Sequence, residues 1–222
     1  MSLIDGAARP GGRPAGERPA HDGAASLAAE GTLTSPEPRP APPDPRQLRS
    51  ALRRFATGVT VVAAGRERPR GMTANSFTSV SLDPPLILIC ASRTARIHES
   101  VLASGAFTVS ILAAHQEHIA RHFADHARPR GDAEFAVAPW WPGPLTRAPI
   151  LHGALAWLEC ALAAVYVGGD HSIFLGRVLA TGCGASPDGL LFFGGGFHRH
   201  PSRPAEREHG NQPREGAERG GG

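Results

Sequence analysis

The chain has 222 residues and a formal net charge of +3, with 27 glycines, 21 prolines and three cysteines. No apolar run is long enough to span a bilayer as a helix, and no basic start followed by an apolar stretch marks a secretory leader. Three cysteines without CxxC spacing argue against a disulfide scaffold or a cysteine-rich zinc site, so the expected compartment is the cytoplasm.

Glycine and proline are unevenly spread. Residues 1–45 hold nine prolines and six glycines, residues 201–222 hold three and five, and all thirteen aromatics fall between Phe55 and Phe197. A segment without large apolar side chains cannot offset the entropy lost on ordering. The expected organisation is therefore a disordered extension over 1–45, a folded domain over 46–200 and a disordered tail over 201–222. Every basic residue is arginine, and residues 46–200 carry 15 of them against 10 acids. That balance suits a small anionic ligand. No arginine-rich helix or basic–aromatic stripe is present, so nucleic acid is not an expected partner, and neither is a membrane.

Asp44-Pro45 reads as a helix start, with Leu48, Leu52 and Phe55 at helical spacing and an end near Gly58. Val59–Ala64 is β-branched and reads as a strand, with a charged hairpin turn over Gly65–Arg70. Gly71–Ser81 reads as a strand passing into a loop, with Phe77 and Val80 as core points. Asp83-Pro84-Pro85 breaks structure. Leu86–Ala91 is wholly apolar and reads as a strand buried on both faces. Arg96–Ala103 reads as a short helix ended by Gly105. Phe107–Leu112 reads as an alternating strand, and Ala113–Ala124 as a helix with Ile119 and Phe123 on its buried face. Residues 125–149 are proline-punctuated loop. Leu155–Val167 fits a helix by its length and a long strand by its flanking glycines. Ile173–Leu179 is a strand, and Leu190–Phe193 a last short one before Gly194-Gly195-Gly196. Six or seven strands without βαβ alternation predict a mainly β fold, an antiparallel barrel with peripheral helices.

There is no Walker A loop, HExxH or GxSxG motif, and the triple glycine precedes no helix, so it is no dinucleotide fingerprint. Gly71-Met72-Thr73-Ala74-Asn75-Ser76 places backbone donors and three short hydrogen-bonding side chains on one stretch. That suits the edge of a flat heteroaromatic ring, or an ordinary strand end. Ser92-Arg93-Thr94-Ala95-Arg96 suits a phosphate, or a plain helix cap. His115, His118 and His122 share a helix face without a carboxylate set and are read as surface, not as a metal site. His171, beside Asp170 at a turn, is either an oriented polar contact or a turn stabiliser.

Together these segments resemble the flavin reductase family, the reductase components of two-component flavin-dependent monooxygenases. The resemblance is carried by Phe55–Val62, Gly71–Leu86, Ala103–Gly105, Gly153–Cys160, Gly168–His171 and Leu190–Phe193. It covers about residues 46–199 and implies a split-barrel FMN-binding fold and a homodimer. It also implies an NAD(P)H:flavin oxidoreductase that passes hydride from NADH or NADPH to FMN or FAD for a separate oxygenase component. By the same resemblance Pro69, Arg70, Gly71, Met72, Thr73, Asn75 and Ser76 line the flavin ring. Cys90, Ala91, Ser92 and Arg96 hold its phosphate side, completed by Phe123 and Ala124. His171, as the catalytic positioning residue, meets the nicotinamide with Leu190, Leu191 and Phe192, and Phe197 keeps a stacking surface. The alternatives are a flavoprotein of this fold that retains its flavin and acts directly on a substrate, and a non-catalytic flavin-binding module.

Overall fold

The computed structural model describes residues 41–200. The tails expected at 1–45 and 201–222 lie outside the described residues except for 41–45. Helix α1 (Pro45–Leu52) starts as its sequence directs: the Asp44 carboxylate accepts the N–H of Arg46 at 2.9 Å, and Pro45 occupies the first turn. It stops well before Gly58, and Leu48, Leu52 and Phe55 remain exposed, so this apolar face does not enter the core of the chain.

Strands β1 (Thr57–Gly58), β2 (Thr60–Ala64), β3 (Arg70–Ala74), β4 (Thr78–Leu82) and β5 (Pro85–Ser92) follow. Helix α2 (Arg96–Ser104) ends at Gly105, whose φ of 61° gives the left-handed turn that glycine adopts most easily. Next come β6 (Ala106–Ile111), a 3-10 turn over Ala114–Gln116, helix α3 (Glu117–Ala124) and a second 3-10 turn over Gly131–Phe135. The small hairpin β7 (Trp140–Pro142) and β8 (Pro149–Leu151) precedes the long hairpin β9 (Ala156–Gly168) and β10 (His171–Cys183). A final hairpin, β11 (Gly189–Phe193) and β12 (Gly196–His200), pairs with β1.

Seven strands form one antiparallel sheet in the order β3-β2-β6-β9-β10-β5-β4. Register shifts in the β9–β10 ladder, at Leu175/Gly176 and Val178/Ala180, add local twist to its longest hairpin. The sheet curls until β3 lies beside β5, but no backbone ladder joins them. Ser76 closes the gap instead: its hydroxyl donates to the Cys90 carbonyl at 3.1 Å and accepts the Cys90 N–H at 3.0 Å. The outcome is the mainly β split barrel with peripheral helices that the sequence predicts.

Two apolar cores explain why β2 is buried on both faces. Val62 and Ala64 face the inside of the barrel with Ile87, Ile89, Phe107, Val109 and Phe174. Val61 and Ala63 face the second core, under α3, with Leu112, Ile119, Phe123, Phe135 and Leu190.

Four readings are corrected. Strand β5 is not buried on both faces: Ile87, Ile89 and Ala91 are buried, while Leu88 and Cys90 between them stay half-buried because that side receives only partial cover. Val80 is 47% exposed, since β4 is an edge strand. The glycine run is not the end of structure: Gly194 and Gly195, both at positive φ, form the turn that leads into β12. Twelve strands, not six or seven, are found among the described residues, because short pairings in the loops carry no strong pattern.

Candidate functional site

The site is built where β3, the end of β5, α2, α3 and the 125–135 loop meet. Period-two alternation on β3 sends Met72 and Ala74 toward the barrel core, and Gly71 and Thr73 toward α3. The Thr73 hydroxyl donates to the Ala120 carbonyl at 2.7 Å. Gly71 lies so close to Phe123 that a Cβ there would sit 2.4 Å from its Cε1. Thr73 and Ser76 therefore spend their hydroxyl protons on the framework, and Asn75, which is exposed, retains the free side chain of this stretch. Pro69 is buried at the strand's entry. Phe123 is core, packed on Phe135 at 4.9 Å, whereas its neighbour Ala124 is exposed.

Sequence reasoning missed the organiser of this region, Glu134. Its carboxylate is fully buried. Oε1 accepts the Gly71 N–H at 3.1 Å and Arg128 Nε at 3.2 Å. Oε2 accepts Arg70 Nη1 at 3.3 Å and lies 3.9 Å from Arg96 Nη1. Arg128 also donates to the Asp125 and Gly71 carbonyls, and His122 Nε2 donates to the Glu134 carbonyl at 2.8 Å. Arg96 Nη1 is buried and has no hydrogen-bond partner. Burial lowers the Arg96 pKa from its usual value; the nearby charges of Arg128, Arg130 and Arg70 add to this and Glu134 opposes it. The only hint in the sequence is an acid following a run of arginines, and such a pattern usually means a solvated surface.

A second group forms at the open end of β5. The β5–β10 ladder pairs Ser92 with His171 and Ala91 with Ser172, so these sequence-distant residues become cross-strand neighbours. Asp170 Oδ1 meets His171 Nδ1 at 2.8 Å and orients the exposed ring; the hydrogen bond to His171 lowers the Asp170 pKa. Arg93 N–H donates to the Asp170 carbonyl, and the Ser92 and Thr94 hydroxyls lie 3.0 Å apart. His98, not singled out in the sequence, places Nε2 2.9 Å from the Ser172 hydroxyl and its ring edge-on to Phe174. Of the residues that the resemblance assigns to the phosphate side, Ala91 is core and Cys90 is half-buried, its thiol pKa raised by burial, which outweighs the opposing effect of the nearby Ser76 side chain.

The third group lies on the β11–β12 hairpin. Leu190 is core, Leu191 is half-buried, and Phe192 packs edge-to-face on Phe197 at 5.4 Å. Arg121 of α3, held by Glu117 at 2.6 Å, lies 5.0 Å over the Phe197 ring. Helix α3 thus carries both Phe123 beneath Gly71 and Arg121 above Phe197. Among the described residues no cluster of metal-ligating side chains exists.

This arrangement offers a polar strand edge, a cation pair with a buried unpartnered donor, and a glycine whose missing side chain lets β3 sit tightly on α3, which together suit a flat anionic ligand. Comparison with known proteins shows the family. The family model of the flavin reductase like domain matches residues 52–201. The NADH-dependent FAD reductase of Streptomyces globisporus is 52% identical over 158 residues, 71% of this chain and 87% of that protein. The crystal structure of BorF, the flavin reductase component of a bacterial two-component tryptophan halogenase, superposes with a TM-score of 0.69 at 51% identity, covering 72% of this chain and 100% of that one. The NADH:FAD oxidoreductase SgcE6 of Streptomyces globisporus C-1027, solved with NAD and FAD fragments, gives 0.66 at 48% identity over 74% of this chain and 95% of that one. With a family match running from α1 past the last described strand and relatives this close in both sequence and fold, the chain belongs to the flavin reductase-like family.

Proposed function

We propose that residues 46–200 form an NADH:flavin oxidoreductase that reduces FAD or FMN for a separate oxygenase component. The observation that carries this reading is the convergence of β3, the open end of β5 and His171 on one site, in a chain about half identical to an NADH-dependent FAD reductase. Reduced nicotinamide supplies the hydride and flavin N5 accepts it, so the protein needs no nucleophile of its own. Its residues bind, align and shield. The backbone of Gly71–Asn75 offers donors and acceptors along a ring edge, and Ser76 keeps that edge locked to β5. Positive charge from Arg70 and Arg96 favours an anionic ligand. His171, held by Asp170, offers an oriented polar contact at the mouth, and Phe192 and Phe197 give an apolar surface against which a second ring can stack.

The product's use follows the relatives: BorF is the reductase component of a two-component halogenase. All three cysteines are free, which suits a reducing compartment such as the cytoplasm. No helix among the described residues is long and apolar enough to cross a membrane. The active form is a homodimer. Leu82 on the edge strand is 93% exposed and Val167 at the β9–β10 tip is 77% exposed, which suits burial against a second copy.

The test is NADH oxidation by the purified chain with and without added riboflavin, FMN or FAD. Oxidation that requires free flavin and saturates with it is expected. A chain that holds flavin but oxidises neither NADH nor NADPH overturns the reading. The variant His171→Asn should lower kcat/KM for NADH at least about tenfold, about 1.4 kcal/mol of transition-state stabilisation.

A further inference from the structure

The arginine cluster is more than a favourable field. Three guanidinium groups, from β3 (Arg70), the start of α2 (Arg96) and the 125–135 loop (Arg128), face one carboxylate, that of Glu134, so among the described side chains three cations meet a single acid here. The three arginines are not equivalent. Arg128 is 8% exposed and every nitrogen of its guanidinium has a protein acceptor: Glu134, the Asp125 carbonyl or the Gly71 carbonyl. It is the permanent counter-ion of Glu134. Arg70 and Arg96 are 23% and 30% exposed, so they reach both the carboxylate and solvent. Arg96 Nη1 is buried beside Glu134 at 3.9 Å, too far to bond, and has no other acceptor. An unsatisfied buried donor of this kind costs free energy unless a ligand supplies an acceptor.

We propose that Glu134 is a positioning residue: it gathers Arg70 and Arg96 into one anion-reading pair matched to the two negative charges of a nucleotide's phosphate or pyrophosphate. Arg70 thereby serves the phosphate rather than the flavin ring, to which the family resemblance assigns it. This inference rests on the reading of the site as a flavin reductase site. The phosphate belongs either to the flavin or to the nicotinamide dinucleotide, which share this chemistry.

Positioning and simple charge offset predict opposite signs. If Glu134 merely cancelled charge, Glu134→Gln would strengthen phosphate binding. If it orients the pair, the same change weakens it, because Arg70 and Arg96 lose their common anchor and turn to solvent. Glutamine retains a carbonyl oxygen to accept the Gly71 N–H, so the ring edge on β3 keeps its support. The experiment measures dissociation constants of riboflavin and FMN by flavin fluorescence, and KM for NADH, in the full chain and in Glu134→Gln and Arg70→Met. In each variant the FMN constant should rise about tenfold more than the riboflavin constant, the size of one charge-assisted hydrogen bond. If the phosphate is that of the dinucleotide, KM for NADH rises by that factor while both flavin constants hold, and the anion pair stands with that source.

Tighter FMN binding in Glu134→Gln overturns the proposal. So does equal weakening of riboflavin and FMN, the mark of a merely structural role, and so does no change in any constant. Should Glu134→Gln fail to fold, Arg70→Met and the unaltered chain carry the test. With the unaltered chain, inorganic pyrophosphate should compete with FMN or NADH but not with riboflavin, and absence of competition with both nucleotides overturns the proposal. Flavin binding without any NADH oxidation would remove the reductase reading, yet the ratio of FMN to riboflavin constants would still judge the anion pair.

Discussion

Gly71 and the three cysteines show how single positions govern this fold. A methyl group at Gly71 would meet Phe123 Cε1 at 2.4 Å and Phe135 Cζ at 3.1 Å, both rings of the second core. Gly71→Ala should therefore cost about 1–3 kcal/mol through overpacking. A fall in the urea midpoint at unchanged slope is the expected reading. The thiols should differ as sharply. Burial, with the neighbouring Glu159 charge, pushes the Cys160 pKa up to about 12, and burial also raises that of Cys90. A thiol held protonated is unreactive until the pH approaches its raised pKa. Cys183 is exposed. At about pH 8 iodoacetamide should label the exposed Cys183 first and leave the buried Cys160 unmodified, which peptide mass spectrometry reads directly. Glu159 also ties down the loop between β7 and β8, because its Oε1 accepts the N–H groups of Leu145 and Thr146 and the Thr146 hydroxyl.

Among the elements, α1 and the β9–β10 hairpin are opposites. Helix α1 has a sound cap and apolar residues at helical spacing, yet none of its residues is buried. Its stability in the single chain is local. Asp44→Ala should remove about 1 kcal/mol from the helix start and speed amide exchange in α1, while the midpoint of global unfolding stays put. A matching drop in global stability would mean that α1 is packed against something in solution. The β9–β10 hairpin carries the sheet instead, pairing with β6 on one side and β5 on the other. Its apolar run left helix and strand open in the sequence. Tertiary pairing decides for strand, and Gly176 is part of the reason: a Cβ there would lie 2.5 Å from Phe107 Cζ, so the core closes only over a bare backbone.

On the scale of the whole molecule, two groups of exposed apolar residues lie on the large sheet. Leu82 and Val80 lie on the edge strand β4, and Val165, Tyr166 and Val167 lie toward the tip of β9. If these surfaces pair two copies, sedimentation should give twice the chain mass, and Leu82→Arg with Val167→Asp should shift the protein to monomer. Retention of the dimer in that double variant would place the interface elsewhere. The split in the barrel also acts at this scale. Because Ser76 joins β3 to β5 through one side chain rather than a ladder, the strand edge beside it stays free to meet a ring.

Much of this was legible in the residues. Breakers and caps marked the domain's elements: Asp44-Pro45 began α1, Gly105 ended α2, and the β-branched run before Gly65 made β2. The ordered motifs from Phe55 to Phe193 were specific enough to point to the family and its chemistry, because each motif is contiguous in sequence. The tertiary structure alone decided what depends on approach between distant segments. It paired Ser92 with His171, turned the Thr73 and Ser76 hydroxyls onto the framework, and brought Arg70, Arg96 and Arg128 around Glu134. A lone glutamate in a loop carries no periodicity, and its meaning comes from burial beside charges brought from β3, from α2 and from its own loop. Local pattern encodes local conformation, whereas a charge cluster and a half-covered strand such as β5 exist only once the chain has closed on itself.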